Sequence, residues 1–257
     1  MPVSDLDLLT GAARAAGDIA RRHWRQDPAV ITKPDGSPVS AADLEVDAFL
    51  RDTLRAARPD YGWLSEETPD DGSRHRAPQT FIVDPIDGTR AFLNGETTFS
   101  HALAVVRDGL VTAAVVFLPM QDQDHAAAPD GPATLNGTPI RAADRAGTDG
   151  ATLLTAKANF APEHWKGGTP PPVTRAFRAS MAYRLCLVAD GSFDAALTLR
   201  PAWDWDIAAG ALVCERAGAR VSDRHGAGVR FNTPGAKSDG LIAAGGAVWR
   251  GLAEGLA

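Results

Sequence analysis

The sequence predicts a layered α/β (α+β) protein built from two unlike halves. Three observations carry this. The first half sets two amphipathic helical stretches ahead of strand candidates joined by Asp-Gly and Asn-Gly turns, the pattern of helices laid on an antiparallel sheet. The second half alternates strand and helix candidates, as a layered α/β unit does. The change of style falls near residue 144. The expected organisation is therefore an N-terminal α+β subdomain over 1–143 and a C-terminal α/β subdomain over 144–257.

Each element has its own signal. Between Asp5 and Arg25, the residues Leu6, Leu9, Ala13, Ala16 and Ala20 form one face at helical spacing. Ser4 can cap this helix, and Asp5 and Asp7 suit its dipole. Lys33 to Val39 is rich in turn formers and reads as a loop. A second helix is expected from about Ala41 to Ala57, with Leu44, Ala48 and Leu54 among its apolar positions and Asp43 in its first turn. Tyr61 to Leu64 is a short strand candidate ended by Ser65-Glu66-Glu67. Phe99–Val106 and Leu110–Leu118 are apolar runs joined across Arg107-Asp108-Gly109, a hairpin signal. Asp122 to Ala128 extends the sheet weakly, and Leu135 to Ile140 holds an Asn-Gly turn. Thr152–Ala156, Phe193–Leu199, Ala219–Ser222 and Leu241–Ala244 are strand candidates. Met181–Ala189, Asp204–Ala217 and Val248–Leu256 read as helices.

The most informative stretch is Phe81-Ile82-Val83-Asp84-Pro85-Ile86-Asp87-Gly88-Thr89-Arg90-Ala91-Phe92. Its apolar start reads as a buried strand that breaks at Asp84-Pro85, since proline biases the residue before it toward extended backbone. Gly88 permits a tight turn, and Thr89 can cap a helix through Ala91 and Phe92. Two carboxylates beside a helix start suit a hard cation and a phosphate together. Taken alone, an ordinary Asp-Pro, Asp-Gly surface turn fits equally well. Asp43 alone fits a dipole-favourable helix residue, and Glu66-Glu67 a solvated pair. Asp204 or Asp206 alone fits a helix N-cap. Two tryptophans flanking Asp204 point to a buried locality, where a carboxylate wants a compensating charge.

Composition bounds the rest. The chain has 257 residues, enough for one large or two small cores, with 44% hydrophobic and 23% charged residues. Its net charge of −6, from 26 basic and 32 acidic residues without a basic stripe, argues against a nucleic-acid polymer as partner. Cys186 and Cys214 sit in apolar runs and read as buried thiols of a reducing compartment. No secretory signal or membrane-spanning stretch is visible, so a cytoplasmic protein is expected. No Ser-His-Asp or Cys-His arrangement stands out among the six histidines, which read as surface or structural groups.

Together, Ser65-Glu66-Glu67, Asp84-Pro85-Ile86-Asp87-Gly88-Thr89 and Trp205-Asp206-Ile207-Ala208-Ala209-Gly210 resemble the signatures of the inositol monophosphatase superfamily. Ser37 to Asp43 and Leu135 to Ile140 fit as well, so the resemblance spans nearly the whole chain. It implies an αβαβα sandwich, with a mainly antiparallel sheet in the first half and a smaller mixed sheet in the second. It implies hydrolysis of a small phosphomonoester by two to three Mg2+ ions at the junction of the halves, with Li+ as an inhibitor. The metal ligands it implies are Glu66, Asp84, Asp87, Asp206 and the main-chain carbonyl of Ile86. Gly88 and Thr89 match the phosphate-binding turn, beside Asp87 and Asp206. Thr89 with Asp43 matches the pair that activates the attacking water, with Glu66 among the catalytic groups. The physical logic agrees: clustered carboxylates repel one another unless cations lie between them.

Two departures bear on the substrate. Arg90 follows the Asp-Gly-Thr turn where the family often has asparagine, and Ser180-Met181-Ala182-Tyr183-Arg184 replaces a common Gly-Ser pair. Arg90, Arg184 and the segments Lys33 to Val39 and Leu64 to Glu67 look closest to the 3'(2'),5'-bisphosphate nucleotidase branch, with Arg90 and Arg184 expected to bind the substrate as cations for a second phosphate. Leu199 stands where inositol phosphatases carry a glutamate for sugar hydroxyls, and leucine accepts no hydrogen bond. The expected substrate is 3'-phosphoadenosine 5'-phosphate. The alternatives are inositol 1-phosphate, histidinol phosphate and fructose 1,6-bisphosphate, or a silent binder of metal or phosphometabolite. A monomer or homodimer is expected.

Overall fold

The computed structural model describes residues 3–26, 28–34 and 36–257; Asp35 of the predicted Lys33–Val39 turn lies outside them. In chain order the first half forms α1 (Asp5–His23), β1 (Val30–Thr32), β2 (Pro38–Ser40), α2 (Ala41–Ala57), β3 (Gly62–Ser65), β4 (Thr80–Asp87), α3 (Thr89–Leu93), β5 (Ser100–Arg107), β6 (Leu110–Leu118), β7 (Gln123–Ala127), β8 (Thr134–Leu135) and β9 (Thr138–Pro139). The second forms β10 (Thr152–Thr155), β11 (Thr174–Ala176), α4 (Met181–Ala189), β12 (Ala195–Thr198), β13 (Ala202–Trp203), α5 (Asp204–Arg216), β14 (Arg220–Ser222), β15 (Lys237–Ser238), β16 (Leu241–Ala244) and α6 (Gly246–Gly255).

Two large sheets result. The first has the order β3-β4-β5-β6-β7-β8-β9 and is antiparallel except for the β3/β4 pair. The second has the order β11-β10-β12-β16-β14 and is mixed: β10 pairs parallel with β11 and β12, and β16 pairs antiparallel with β12 and β14. The β5/β6 turn places Asp108 and Gly109 at φ 53 and 77, both left-handed, as a tight hairpin turn demands. Ser4 caps α1 by accepting the N–H of Asp7.

The layers follow from the two-residue period of the strands. Phe81, Val83, Leu103, Val105, Val115 and Phe117 face α1 and α2. The intervening Ile82, Ala102, Ala104, Ala114 and Val116 face α4 and α5, which also cover Leu154, Ala196 and Ala243 of the second sheet. The other face of that sheet, with Leu153, Leu197 and Ile242, packs on α6 through Val248 and Leu252. The stack therefore reads helix, sheet, helix, sheet, helix. Burial on both faces explains why β4 shows no polar alternation.

The structure corrects several local expectations. Leu44 is exposed; the buried face of α2 is Ala42, Val46, Leu50 and Leu54. The turn-rich Lys33–Val39 segment is the end of a small hairpin, β1 on β2, closed by Lys33 N–H donating to the Ser37 carbonyl. β4 does not stop at Asp84-Pro85 but runs on to Asp87. Thr89 does not cap α3; Gly88 holds that position with φ 98, and the Thr89 hydroxyl is used elsewhere. Trp203, not an aspartate, is the cap of α5.

Candidate active site

Asp84 and Asp87 lie three residues apart on one strand, so an ideal pleat would aim them to opposite faces. A bulge removes the conflict. Asp84 lies opposite Ala102 and Asp87 opposite Ser100, three steps on β4 against two on β5. One extra residue re-aims the side chains, which is a recurrent use of bulges beside functional sites. Pro85 offers no N–H at this point, so the broken ladder loses little there.

The helices of the other layer complete the cluster. Asp206, in the first turn of α5, brings a carboxylate oxygen into a group with Asp84 and Asp87 in which all three ligand atoms lie within 4.8 Å of one another. Asp87 is held in place by α4: the cap residue Ser180 donates its hydroxyl at 2.7 Å, and the N–H of Ala182 donates at 2.6 Å. Ser180 also accepts the N–H of Tyr183. The departure from the family's Gly-Ser pair thus still provides a hydroxyl at the helix start. Its sequence signal is an ordinary N-cap serine, which does not reveal what the hydroxyl reaches.

Glu66 follows β3 and stands outside that tight group. Its carboxylate accepts from Lys33 Nζ at 2.9 Å, and Glu67 accepts from the same ammonium at 2.7 Å. Burial lowers the Lys33 pKa, but the two glutamates outweigh it and hold the ammonium charged. Spacing gives no hint of this contact, which depends on the β1/β2 hairpin reaching β3.

The electrostatics fit a cation site. Burial pushes the Asp84 carboxyl well above its ordinary range, and Glu66, Asp87 and Asp206 push it further. Asp206 is raised by burial and then by Asp87 and Glu66. Asp87 rises to about 6 through burial, although Ser180 and the α4 N–H groups oppose it. Asp84 Oδ1 is buried and has no hydrogen-bond partner among the described residues. An orphaned oxygen among mutually repelling carboxylates is what a hard divalent cation with oxygen ligands would satisfy. The residues present therefore fit the metal.

Beside the cluster, Thr89 Oγ lies 3.0 Å from Asp43 Oδ1 and 3.2 Å from the Ile86 carbonyl. The other oxygen of Asp43 accepts the backbone N–H and the hydroxyl of Ser40 in a capping box. Burial raises the Asp43 carboxyl above its usual value against these bonds.

A cavity of about 1240 Å³ opens over this cluster. Arg90, Arg184, Arg200 and Leu199 line it, together with Glu66, Asp84, Asp87, Gly88, Thr89 and Asp206. The exposed side chains of Arg90 and Arg200 make no hydrogen bond or ion pair with other described residues. Arg184 is different: it is nearly buried, and Nε and Nη2 donate to the carbonyls of Arg178 and Ala179. Asp43 and the Ile86 side chain are buried behind the wall. Sequence reasoning missed Arg200, Phe177 and His164 on this wall. None carries a periodic or motif signal. His101 and His125 are fully buried, away from the wall. Cys186 and Cys214 are buried and unpaired. No helix among the described residues is long and apolar enough to cross a membrane.

The profile of the Inositol monophosphatase family matches residues 4–257. The chain is 33% identical over 238 residues to an inositol-1-monophosphatase of Rhizobium meliloti, covering 87% of this chain and 86% of that protein. It is 30% identical over 227 residues to the 3'(2'),5'-bisphosphate nucleotidase CysQ of Escherichia coli K12, covering 86% and 91%. Among solved structures, an IMPase of Thermotoga maritima superposes with a TM-score of 0.84 at 26% identity, covering 97% of this chain and 95% of that one.

Proposed function

The chain belongs to the inositol monophosphatase family, whose members are phosphatases that hydrolyse phosphomonoesters, and from that premise we propose that it is a Mg2+-dependent phosphatase whose favoured substrate is a bisphosphate nucleotide such as 3'-phosphoadenosine 5'-phosphate. The observation that carries the substrate is the cavity wall. Leu199, largely packed in the core at 4% exposure, lines the cavity at the position where the resemblance to inositol phosphatases puts a glutamate, and leucine offers cyclitol hydroxyls no acceptor. Arg90 and Arg200, uncommitted to other side chains, supply cations for a phosphate beyond the one being cleaved. A relative named as a bisphosphate nucleotidase supports this reading. A relative named as an inositol-1-monophosphatase supports the second, inositol 1-phosphate.

Two to three Mg2+ ions, held by Asp84, Asp87, Asp206, Glu66 and the Ile86 carbonyl, would supply the positive charge that a phosphate dianion requires and would activate water. The chain's own groups do the orienting. One oxygen of Asp43 is filled by Ser40, which leaves the other to take the Thr89 proton. With its proton so directed, Thr89 Oγ turns its lone pairs outward and accepts a hydrogen bond from a water at the phosphate. Asp43, raised by burial, is the proton store behind it. Gly88, left-handed at the cap of α3 and on the cavity wall, opens the turn whose following N–H groups would receive the phosphate.

The test compares kcat/KM for 3'-phosphoadenosine 5'-phosphate and inositol 1-phosphate in Mg2+, with Li+ added as inhibitor and Arg90→Ala as variant. The nucleotide should be turned over at least tenfold more efficiently, and Arg90→Ala should erode that preference. More efficient turnover of inositol 1-phosphate, or an equal loss on both substrates in the variant, rejects the nucleotide assignment.

A further inference from the structure

Phe177 sits in the connection from β11 to α4 and lines the same cavity as the carboxylate cluster. It is 49% exposed, among the few large apolar side chains left open to solvent. Single exposed hydrophobes are ordinary on a protein surface. This one differs in how it is held. The Arg184 guanidinium lies over its ring, 4.3 Å from the centroid. Arg184 is fixed in turn by donating to the carbonyls of Arg178 and Ala179. Arg178 donates back to the Phe177 carbonyl at 2.8 Å, while its guanidinium stands 5.5 Å from the Phe193 ring centroid. Three residues further on, Ser180 donates to Asp87. The ring is thus backed on one side by a cation and joined by a short, hydrogen-bonded segment to a carboxylate of the cluster.

We propose that Phe177, backed by Arg184, is a stacking platform for a planar ring in the leaving group of the substrate, which selects a nucleoside over a saturated sugar or cyclitol. The inference rests on the phosphatase reading of the site and narrows its substrate class. A cation on one face of an aromatic ring leaves the other face for a π-system, and stacking accepts any nucleobase because every base has a π-face. The platform is ready before binding, so little ordering has to be done on association. The cavity volume of about 1240 Å³ exceeds the ~300–1,000 Å³ usual for small-molecule pockets, which leaves room for a nucleoside beyond the cleaved phosphate. The assignment also explains Arg184 without asking it to hold a phosphate. Its N–H groups already serve backbone carbonyls, while its flat face serves Phe177.

The experiment compares adenosine 5'-monophosphate with ribose 5-phosphate, the same anion without the base. Binding to the full chain in Mg2+ is titrated calorimetrically, with phosphate release monitored in parallel. Wild type should bind the nucleotide about tenfold more tightly than ribose 5-phosphate, the scale of one base–aromatic stack. Phe177→Ala and Phe177→Leu should both erase that gap while leaving ribose 5-phosphate binding unchanged; Phe177→Trp should keep it. Leucine retains apolar bulk and loses the π-face, so it separates stacking from mere packing. A gap absent from wild type, or one that survives in Phe177→Ala, overturns the platform. Phosphate release from 3'-phosphoadenosine 5'-phosphate is read separately. Failure there with the gap behaving as expected removes the hydrolytic assignment and leaves the platform. Turnover there with a gap indifferent to Phe177 does the reverse.

Discussion

His101 shows what burial does to a single group. It lies on β5 with no exposed surface, its ring between Phe99 and Phe117 at centroid distances of 6.5 and 6.4 Å. Its Nδ1–H donates to the carbonyl of Pro85, inside the bulge between Asp84 and Asp87, and its Nε2 has no partner among the described residues. Burial pushes the imidazole down to about 4. The folded pKa is below the unfolded value of about 6.5, so the neutral ring contributes stability that is present above pH ~6.5 and is lost as pH falls through ~4. At about 1.4 kcal/mol per pKa unit, this one ring should cost the fold about 3 kcal/mol by pH 4. Urea unfolding of wild type and His101→Gln at pH 7 and pH 4 measures it. The variant, which cannot titrate, should lose less stability between the two. Equal losses would show that other groups govern acid unfolding.

At the scale of elements, α4 and α5 are packed unusually close. The small residues of Trp205-Asp206-Ile207-Ala208-Ala209-Gly210 suggest a close approach, but to α4 more than to a sheet: a Cβ at Gly210 would stand 2.6 Å from Leu185 Cβ. This contact draws together the helix starts that bear Ser180 and Asp206. Gly210→Ala gains about 1 kcal/mol of helix propensity but overpacks a contact of the kind that costs ~1–3 kcal/mol. The expected net is a loss of about 1 kcal/mol, recovered in part when Leu185→Ala is added, as a double-mutant cycle in urea would show. Stabilisation by Gly210→Ala alone would mean that the helices move apart without cost. The same elements show where sequence reading succeeds and stops. α1, α2 and the β5/β6 hairpin are legible because periodicity and Asp-Gly chemistry are local signals. The three-residue strands β1, β2 and β11 are not: β1 and β2 are too short to show a period around their turn, and β11 pairs with β10 about twenty residues away. Leu44 and Val46 both fit a helical period, and only the layer above chooses Val46. The acids are visible as motifs, yet the meeting of Asp84 with Asp87 depends on a bulge that no spacing encodes. Phe177 has no motif at all, and its place appears only when β11 delivers it to the cavity wall.

At the scale of the molecule, the carboxylate group spans two layers: Asp84 and Asp87 come from the first sheet, and Asp206 from α5 in the helix layer between the sheets. A buried polar seam elsewhere holds these layers in register. Arg74, with no exposed surface, bonds Asp70, the Asn232 side chain and the Thr233 carbonyl. Asn232 in turn donates to Thr80 at the start of β4 and to Asp204 at the start of α5. The seam thus ties together the two elements that carry the acids. A cation bound by both layers would act as a further clamp, present only in the folded state. Mg2+ should therefore raise the melting temperature, with a stabilisation of ~2.7 kcal/mol at a hundredfold excess over its Kd. Asp84→Asn and Asp206→Asn should each abolish most of that gain and most activity, although the two residues belong to different layers. In EDTA neither variant should melt below wild type, since each removes one of several repelling buried charges. The double variant should lose no more Mg2+ stabilisation than either single one, because the ions share one carboxylate cluster that can be lost only once. Additive losses would mean two independent cation sites, one on each layer. Near-normal kinetics for Asp206→Asn at saturating Mg2+ would mean that the first sheet holds the reactive metal by itself, with α5 only a wall of the cavity.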